Sequence, residues 1–285
     1  MAPLSSFVLH GTARLNSGPH PARARADAEL LLLHLLGKDK AWLMAHRDQE
    51  LAPAKAVLYT QLLERRLVGE PIQYITGETE FYGLPFRITH DVLIPRPETE
   101  HLVEKVIALA ARFTTSRIVD IGTGSGCIAV ALAHHLPQAR VTAIDLSAPA
   151  LAIAEENARR NEVSIRFLQG DLLSPIAAER FDIIVSNPPY VPAADRATLS
   201  VEVRDFEPEL ALFAGPGPNS DGLEIYRNLI PSAFDVLNPG GLVVLEIGYG
   251  QSPAIAELLS RSGFQQIDFI PDLQGIPRVA CAQRP

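Results

Sequence analysis

Cysteine is nearly absent from this chain, with only Cys127 and Cys281 among 285 residues. So few thiols exclude a disulfide framework and a cysteine-built metal cluster, and reduced thiols in a cytoplasmic protein are the expectation. Long apolar runs are missing too. No stretch approaches the roughly 18 residues of a membrane span, and the first residues lack the charged-then-apolar order of a signal peptide. The eight histidines show no metal-ligand spacing, so no metal is expected. There are no internal repeats and no low-complexity segments. Positive charge is also in short supply: 25 Lys/Arg stand against 33 Asp/Glu, a formal net charge of −8. Residues 1–80 hold nine of each sign, so the whole excess lies in the remainder of the chain. Gripping bare nucleic acid through its phosphates demands a basic stripe. Nucleic acid is therefore not expected as a direct substrate.

What is present is a globular composition, 47% apolar and 20% charged, in a chain long enough for two domains. The first part reads as helices. Apolar residues at helical spacing run from Ala22 to Leu36, with Gly37 as a stop. A short helix over Ala41–Ala45 and a third over Pro53–Val68 follow, with Pro53 suited to a first turn. Glu80–Ile88 reads as two short strands around a Gly-containing turn. Pro95–Glu100 then opens a helix to about Phe113, with Pro97 at its first position and Glu98 and Glu100 at the positive end of its dipole.

Beyond residue 116 the pattern alternates. Strands are expected at Ile118–Ile121, Val141–Ile144, Ile165–Leu168, Ile183–Val185 and Leu242–Ile247, with helices around 126–136, 149–160 and 221–237. Alternation of this kind predicts an α/β fold with a doubly wound, mainly parallel sheet. Phe264–Ile270 and Arg278–Ala282 are joined by a link too short for a parallel crossover, so the sheet should end in an antiparallel strand. The expected organisation is a small N-terminal helical domain (1–80), a hairpin linker (81–95) and a ligand-binding catalytic domain (96–285).

The most informative segment is Asn187-Pro188-Pro189-Tyr190, directly after the β-branched run Ile183–Val185. Two prolines cannot donate to a ladder and restrict the residue before each, so they end the strand rigidly. A polar amide is thus held at the carboxyl end of a central strand, where open α/β sheets bind ligands. Asparagine offers an acceptor and a donor but no titratable base. That suits a reaction in which a planar NH₂ group must be held and aimed.

Gly122-Thr123-Gly124-Ser125-Gly126 lies between the first sheet strand and its helix. Its spacing is G-x-G-x-G, and the third glycine of a dinucleotide fingerprint is replaced by Cys127. This disfavours a pyrophosphate clamp and, with it, a nucleotide-dependent oxidoreductase. The next strand ends at Asp145, a carboxylate able to accept from both hydroxyls of a ribose. One strand later, Asp171 can accept from an exocyclic amine and Leu172 can lie against a purine. Acidic residues at successive strand ends, without a Walker lysine, fit a cationic nucleoside such as S-adenosylmethionine.

Gly122–Gly126, Asp145, Asp171 and Asn187–Tyr190 together resemble the class I S-adenosylmethionine-dependent methyltransferases that modify a planar nitrogen. The similarity is closer to one branch. Gly69–Gly77, Leu93–Glu100, Ser186–Tyr190 and Val203–Pro208 resemble the protein-(glutamine-N5) methyltransferases of peptide chain release factors, in order from about residue 22 to 282. Only Gly275–Arg278 departs from that family's more acidic pattern. The resemblance implies a Rossmann-like fold and methyl transfer to the glutamine of a Gly-Gly-Gln motif, which modulates translation termination. Release factors would be the partners and the protein a monomer. It also implies that the Asn187 side-chain oxygen and the Pro188 carbonyl each accept one amide hydrogen. Pro189 would complete the substrate pocket, and Tyr190 would stack on the amide near the sulfonium. Thr123, Ser125 and Leu172 would join the cofactor site. An adenine or cytosine amino-methyltransferase uses a similar device on a flipped base, but the acidic body weighs against it. A non-catalytic S-adenosylmethionine sensor would not need Asn187 before two prolines.

Overall fold

The computed structural model describes residues 2–215, 217 and 220–285, and the chain divides into two compact units. One runs to Gly77 and takes in Leu199–Phe206; the other comprises Glu78–Thr198 and Glu207–Pro285. These limits differ from the expected division at 80 and 95. Leu199–Phe206 joins the helices because Val201 Cγ1 sits against Gly69, where a Cβ would lie 2.6 Å away, and because Glu202 pairs with Arg66. Neither contact has a local sequence signal.

The helical unit contains α1 (Leu4–Leu15), α2 (Ala24–Leu36), α3 (Lys40–Ala45), α4 (Pro53–Leu67) and α5 (Ile72–Thr76). Gly37 ends α2 in the left-handed conformation and Asp39 caps α3 by accepting the Trp42 N–H at 2.7 Å. Leu4, Val8, Ala28, Leu31, Leu32, Tyr59 and Leu63 close one apolar core. Helices α1 and α5 have no counterpart in the pattern reading: α1 carries Gly11 at a buried position, and α5 is too short for periodicity to register. Deep in this unit, Arg66 and Asp27 pair at 2.7 Å, each 2% exposed.

The second unit opens with a hairpin, β1 (Glu78–Phe81) and β2 (Leu84–Arg87). Tyr82 and Gly83 both have positive φ, 51° and 74°, as a two-residue type I′ turn requires. The hairpin belongs to this unit because buried Asn157 accepts the Arg87 N–H at 2.6 Å and donates to the Arg87 carbonyl at 3.0 Å. Helix α6 (Thr99–Ala110) follows and starts later than expected, so Pro97 precedes the helix and Glu98 occupies its cap position.

The sheet strands are β3 (Arg117–Ile121), β4 (Arg140–Asp145), β5 (Arg166–Gln169), β6 (Phe181–Ser186), β7 (Leu237–Glu246), β8 (Gln265–Pro271) and β9 (Pro277–Gln283). Between them lie α7 (Cys127–His135), α8 (Ala148–Arg160), α9 (Glu224–Val236) and α10 (Ser252–Arg261). The order is β5-β4-β3-β6-β7-β9-β8, parallel except for β9, which runs antiparallel to β7 and β8. The expected doubly wound sheet with an antiparallel C-terminal strand is therefore present. Strand β7 starts five residues before the expected Leu242; Pro239 and two glycines mask its beginning. Helix α10 was not anticipated. Ile183–Val185, Val243 and Val244 are fully buried, as parallel strands covered on both faces should be. Strand order reverses between β3 and β6, the switch point where such sheets bind ligands. Among the described residues, no helix is long and apolar enough to cross a membrane, and no cluster of three His, Cys, Asp or Glu could hold a metal.

Candidate active site

At that switch point the carboxyl ends of β3, β4 and β6 border a cleft of about 940 Å³, its open mouth included. Gly122 and Gly124, Asp145, Asp171 and Leu172, and Asn187, Pro188 and Pro189 all line it. Four sequence-distant motifs are thus gathered in one place.

The glycine loop is held open by its conformation. Gly122 and Gly124 have φ of +69° and +56°, and a Cβ at either would meet nothing within 4 Å. Their backbone therefore presents bare surface to the cleft. Gly126 serves packing instead: a Cβ there would lie 3.0 Å from the Ala154 Cβ on α8. Thr123 and Ser125 are buried and do not line the cleft. Thr123 donates from Oγ1 to Asp120 Oδ2 at 2.6 Å, and the Ser125 carbonyl accepts from Asn157 Nδ2 at 2.9 Å. The Thr123 side chain and the Ser125 main chain thus hold the loop from behind. Of the five loop residues expected to meet the ligand, Gly122 and Gly124 line the cleft.

Asp145 closes the other side. Its Oδ2 accepts the Gly124 N–H at 2.7 Å and its Oδ1 the Ser147 N–H at 2.8 Å. Each carboxylate oxygen keeps a further acceptor site, which is the donor–acceptor complement of two adjacent hydroxyls. Burial raises its pKa, opposed by the N–H groups of Ser147, Gly124 and Leu146. Leu172 lines the cleft at φ +47°, a left-handed conformation costly for a bulky residue. Strain of that kind persists where the surroundings require a particular surface.

Asn187 follows β6 directly. Its Nδ2 donates to Thr99 Oγ1 at 3.1 Å, and Thr99 Oγ1 donates to Glu246 Oε2 at 2.7 Å. Ser186 donates from Oγ to the Ile121 carbonyl at 2.7 Å and ties β6 to β3 beneath the cleft. Tyr190 does not line the cleft. Its ring packs against the core and its hydroxyl donates to Glu246 Oε1 at 3.3 Å. The cause is its neighbour strand: a buried carboxylate on β7 draws the phenol inward.

Leu93 and Pro208, from two of the motifs that carry the resemblance, line the cleft, and so do Asp91, Val92, Leu210 and Ala211, which sequence reading passed over. The segment from Pro208 to Ala211 is tethered: Arg96 Nη2 donates to buried Glu207 Oε2 at 2.5 Å. Glu246 carried an available signal, a lone carboxylate inside the apolar run Leu242–Ile247. Cys127 is buried and its thiol is pushed up to about 12 by desolvation, which leaves it unreactive.

Comparison with known proteins agrees with this architecture. Residues 98–203 match the methyltransferase small domain model, and residues 8–77 match the PrmC N-terminal domain model. A release factor glutamine methyltransferase of Koribacter versatilis is 44% identical over 92% of this chain and 91% of its own. One from Deinococcus radiodurans is 40% identical over 99% and 98%. Among solved structures, a methyltransferase from Pyrococcus furiosus shares the fold with a TM-score of 0.52, at 20% identity, over 80% of this chain and 95% of that one.

Proposed function

The chain belongs to the release factor glutamine methyltransferase family, and from that premise and the cleft's geometry we propose that it methylates the Gly-Gly-Gln glutamine of bacterial release factors on its side-chain nitrogen, with S-adenosylmethionine as donor. The observation that carries the reading is the meeting of Asn187 and Pro188 with Asp145 and the Gly122–Gly124 loop in one cleft.

The residues present fit the donor. Two open acceptor sites on Asp145 suit a ribose diol, the bare glycine backbone suits the methionine portion, and Leu172 offers an apolar face for adenine. Asp171 stands at the cleft wall as an acceptor for the adenine amine. When bound, S-adenosylmethionine supplies a methyl group whose bond to sulfur breaks as the bond to nitrogen forms, and the displaced amide proton passes to solvent.

A glutamine amide is a poor nucleophile because its lone pair is delocalised into the carbonyl. The protein's task is therefore alignment. Asn187 Oδ1 and the Pro188 carbonyl act as two acceptors that fix the NH₂ plane and favour positive charge growing on nitrogen. Prolines 188 and 189 keep these acceptors from moving. No strong base is needed at the outset, because the proton becomes acidic only as the new bond forms. The helical unit, which matches the N-terminal domain model of this family, serves as the docking domain.

The test is incubation of the full chain with labelled S-adenosylmethionine and a purified release factor, read by peptide mass spectrometry. One added methyl on the Gly-Gly-Gln glutamine is expected. Label entering DNA or free nucleosides, but not the factor, overturns the substrate assignment.

A further inference from the structure

Glu246 ends β7 one step past Leu245, which is in register with Ser186 at the end of β6. Glu246 and Asn187 therefore stand side by side at the carboxyl ends of neighbouring strands. Thr99, on the first turn of α6, bridges them. Glu246 and Thr99 are withdrawn from solvent, each 2% exposed, while Asn187 stands half-buried at the cleft wall. A buried carboxylate on the innermost face of a strand is costly to keep, and the fold surrounds this one with donors. Thr99 and Tyr190 hydroxyls reach its oxygens, and the Tyr226 hydroxyl donates to its main-chain carbonyl at 2.6 Å.

The direction of these bonds has a chemical consequence. An ionised carboxylate can only accept. Thr99 has one proton, and it is committed to Glu246. Its oxygen can then only accept from Asn187, which fixes the Asn187 NH₂ toward Thr99. The remaining acceptor, Oδ1, is turned to the side where a substrate amide must be received. An asparagine amide is nearly symmetric in shape, so packing alone does not choose between its two orientations. Something polar must.

We propose that Glu246 is a positioning residue that selects the productive orientation of the Asn187 amide through the Thr99 hydroxyl. The inference rests on the methyltransferase reading of the cleft for its catalytic meaning, but the orientation itself is a property of this chain. With a protonated Glu246, the relay can run backwards. The carboxyl donates to Thr99, Thr99 donates to Asn187 Oδ1, and the NH₂ group is presented to a substrate NH₂ group, donor against donor.

Glu246 is a carboxyl able to change state near neutrality. Burial raises its pKa to about 7, opposed by the bonds from Thr99 and Tyr190. Of the charges facing it, Glu98 at the start of α6 raises it further and Arg278 on β9 lowers it. The Cys127 thiol on α7 and the Tyr226 phenol on α9 lie within its field and stay protonated, both pushed upward by burial. The relay should therefore be set at higher pH and loosened as pH falls below about 7.

Two measurements on the full-length protein test this. The first does not involve turnover: the Asn187 side-chain NH₂ resonances, assigned by their loss in Asn187→Ala, are followed against pH. They should shift with a single transition near neutrality in the wild type and lose that transition in both Thr99→Val and Glu246→Gln. Unchanged transitions in a folded Thr99→Val protein overturn the relay. The second is kcat at saturating factor and cofactor. Thr99→Val should lower it by ~10- to 100-fold, the scale a misplaced positioning group costs, with KM for the factor altered far less. Thr99→Ser, which keeps the hydroxyl, should recover most of the rate. A Thr99→Val enzyme with wild-type kcat and pH profile overturns the proposal. If Glu246→Gln fails to fold, Thr99→Val alone decides. If the wild type transfers no methyl to any release factor, the functional reading falls, and the resonance titration still decides the relay.

Discussion

Asp145 Oδ2 accepts the backbone N–H of Gly124 at 2.7 Å, so the end of β4 and the glycine loop after β3 are one hydrogen-bonded wall. The carboxylate thus has two tasks: it shapes the loop and presents the acceptors left over. Asp145→Ala should weaken S-adenosylhomocysteine binding by about 1.5–3 kcal/mol, the range for hydrogen bonds to a charged group. Calorimetric titration reads the change, and full affinity in a folded variant would remove Asp145 from the binding site.

Asn187 is expected to act on the rate and hardly on cofactor affinity. Asn187→Ala removes one acceptor for the amide hydrogens and should lower kcat by ~10²–10³, by analogy with losing one oxyanion-hole hydrogen bond. Asn187→Asp keeps two acceptor oxygens but places a charge beside the donor's sulfonium, so intermediate activity is expected. Single-turnover methylation at saturating cofactor checks both. A wild-type rate for the alanine variant would reduce the motif to a structural turn.

Much of this was legible in the chain before any coordinates, and the parts that were not have physical reasons. Strands buried on both faces write themselves as β-branched runs, so Ile183–Val185 and the motif behind it stood out. The glycine loop was legible as a loop, but not which residue faces the ligand. Gly122 and Gly124 line the cleft, whereas Gly126 answers to Ala154 on a distant helix. The bond from Tyr190 to Glu246 was not legible, because the partner lies 56 residues away. The return of Leu199–Phe206 to the N-terminal unit depends on long-range pairing that no window of sequence contains.

In the helical unit, Arg66 is bound from two sides. Its Nε donates to Asp27 Oδ2 at 2.7 Å, and its Nη1 donates to the Glu70 carbonyl at 2.9 Å and to Glu202 Oε1 at 2.5 Å. Asp27→Ala leaves the buried guanidinium with Glu202 and the Glu70 carbonyl, so it should cost about 1.5–3 kcal/mol, the range for hydrogen bonds to a charged group. Hydrogen exchange on the full chain should localise the loss of protection to α1, α2 and α4. A loss under 1 kcal/mol by denaturant titration would mean that water replaces the carboxylate at little cost.

Asp120, fully buried behind the glycine loop, gives a pH signature. Burial raises its pKa from 3.8 to about 7, Asp145 adds to the rise, and Thr123 and the Ala129 N–H oppose it. A carboxyl raised in the folded state contributes stability that is fully present below its unfolded pKa and is lost as pH rises through the folded one. Stability should therefore decline between about pH 4 and pH 7. Asp120→Asn should flatten that decline without abolishing it, because Glu246 titrates in the same window with the same sign. Chemical denaturation of both proteins across this range reads the difference, and identical slopes would show that Asp120 is charged throughout.

Tyr190→Phe separates the two roles open to this ring. If the ring stacked on the substrate, phenylalanine would preserve it and the pH dependence would stay where it is. The geometry leads to a different outcome. The phenol donates to Glu246 Oε1, and that bond lowers the Glu246 pKa. Without it, the carboxyl binds its proton more tightly, so Glu246 should ionise at a higher pH than in the wild type. Because the ionised form sets the Asn187 amide, the rise of kcat with pH should move in the same direction. The plateau at high pH should remain close to that of the wild type, since the Thr99 bond is still in place. A pH–rate profile at saturating substrates, taken for both proteins in one buffer series, reads the midpoint directly. A midpoint that stays fixed or moves to lower pH would mean that the phenol does not support the carboxylate.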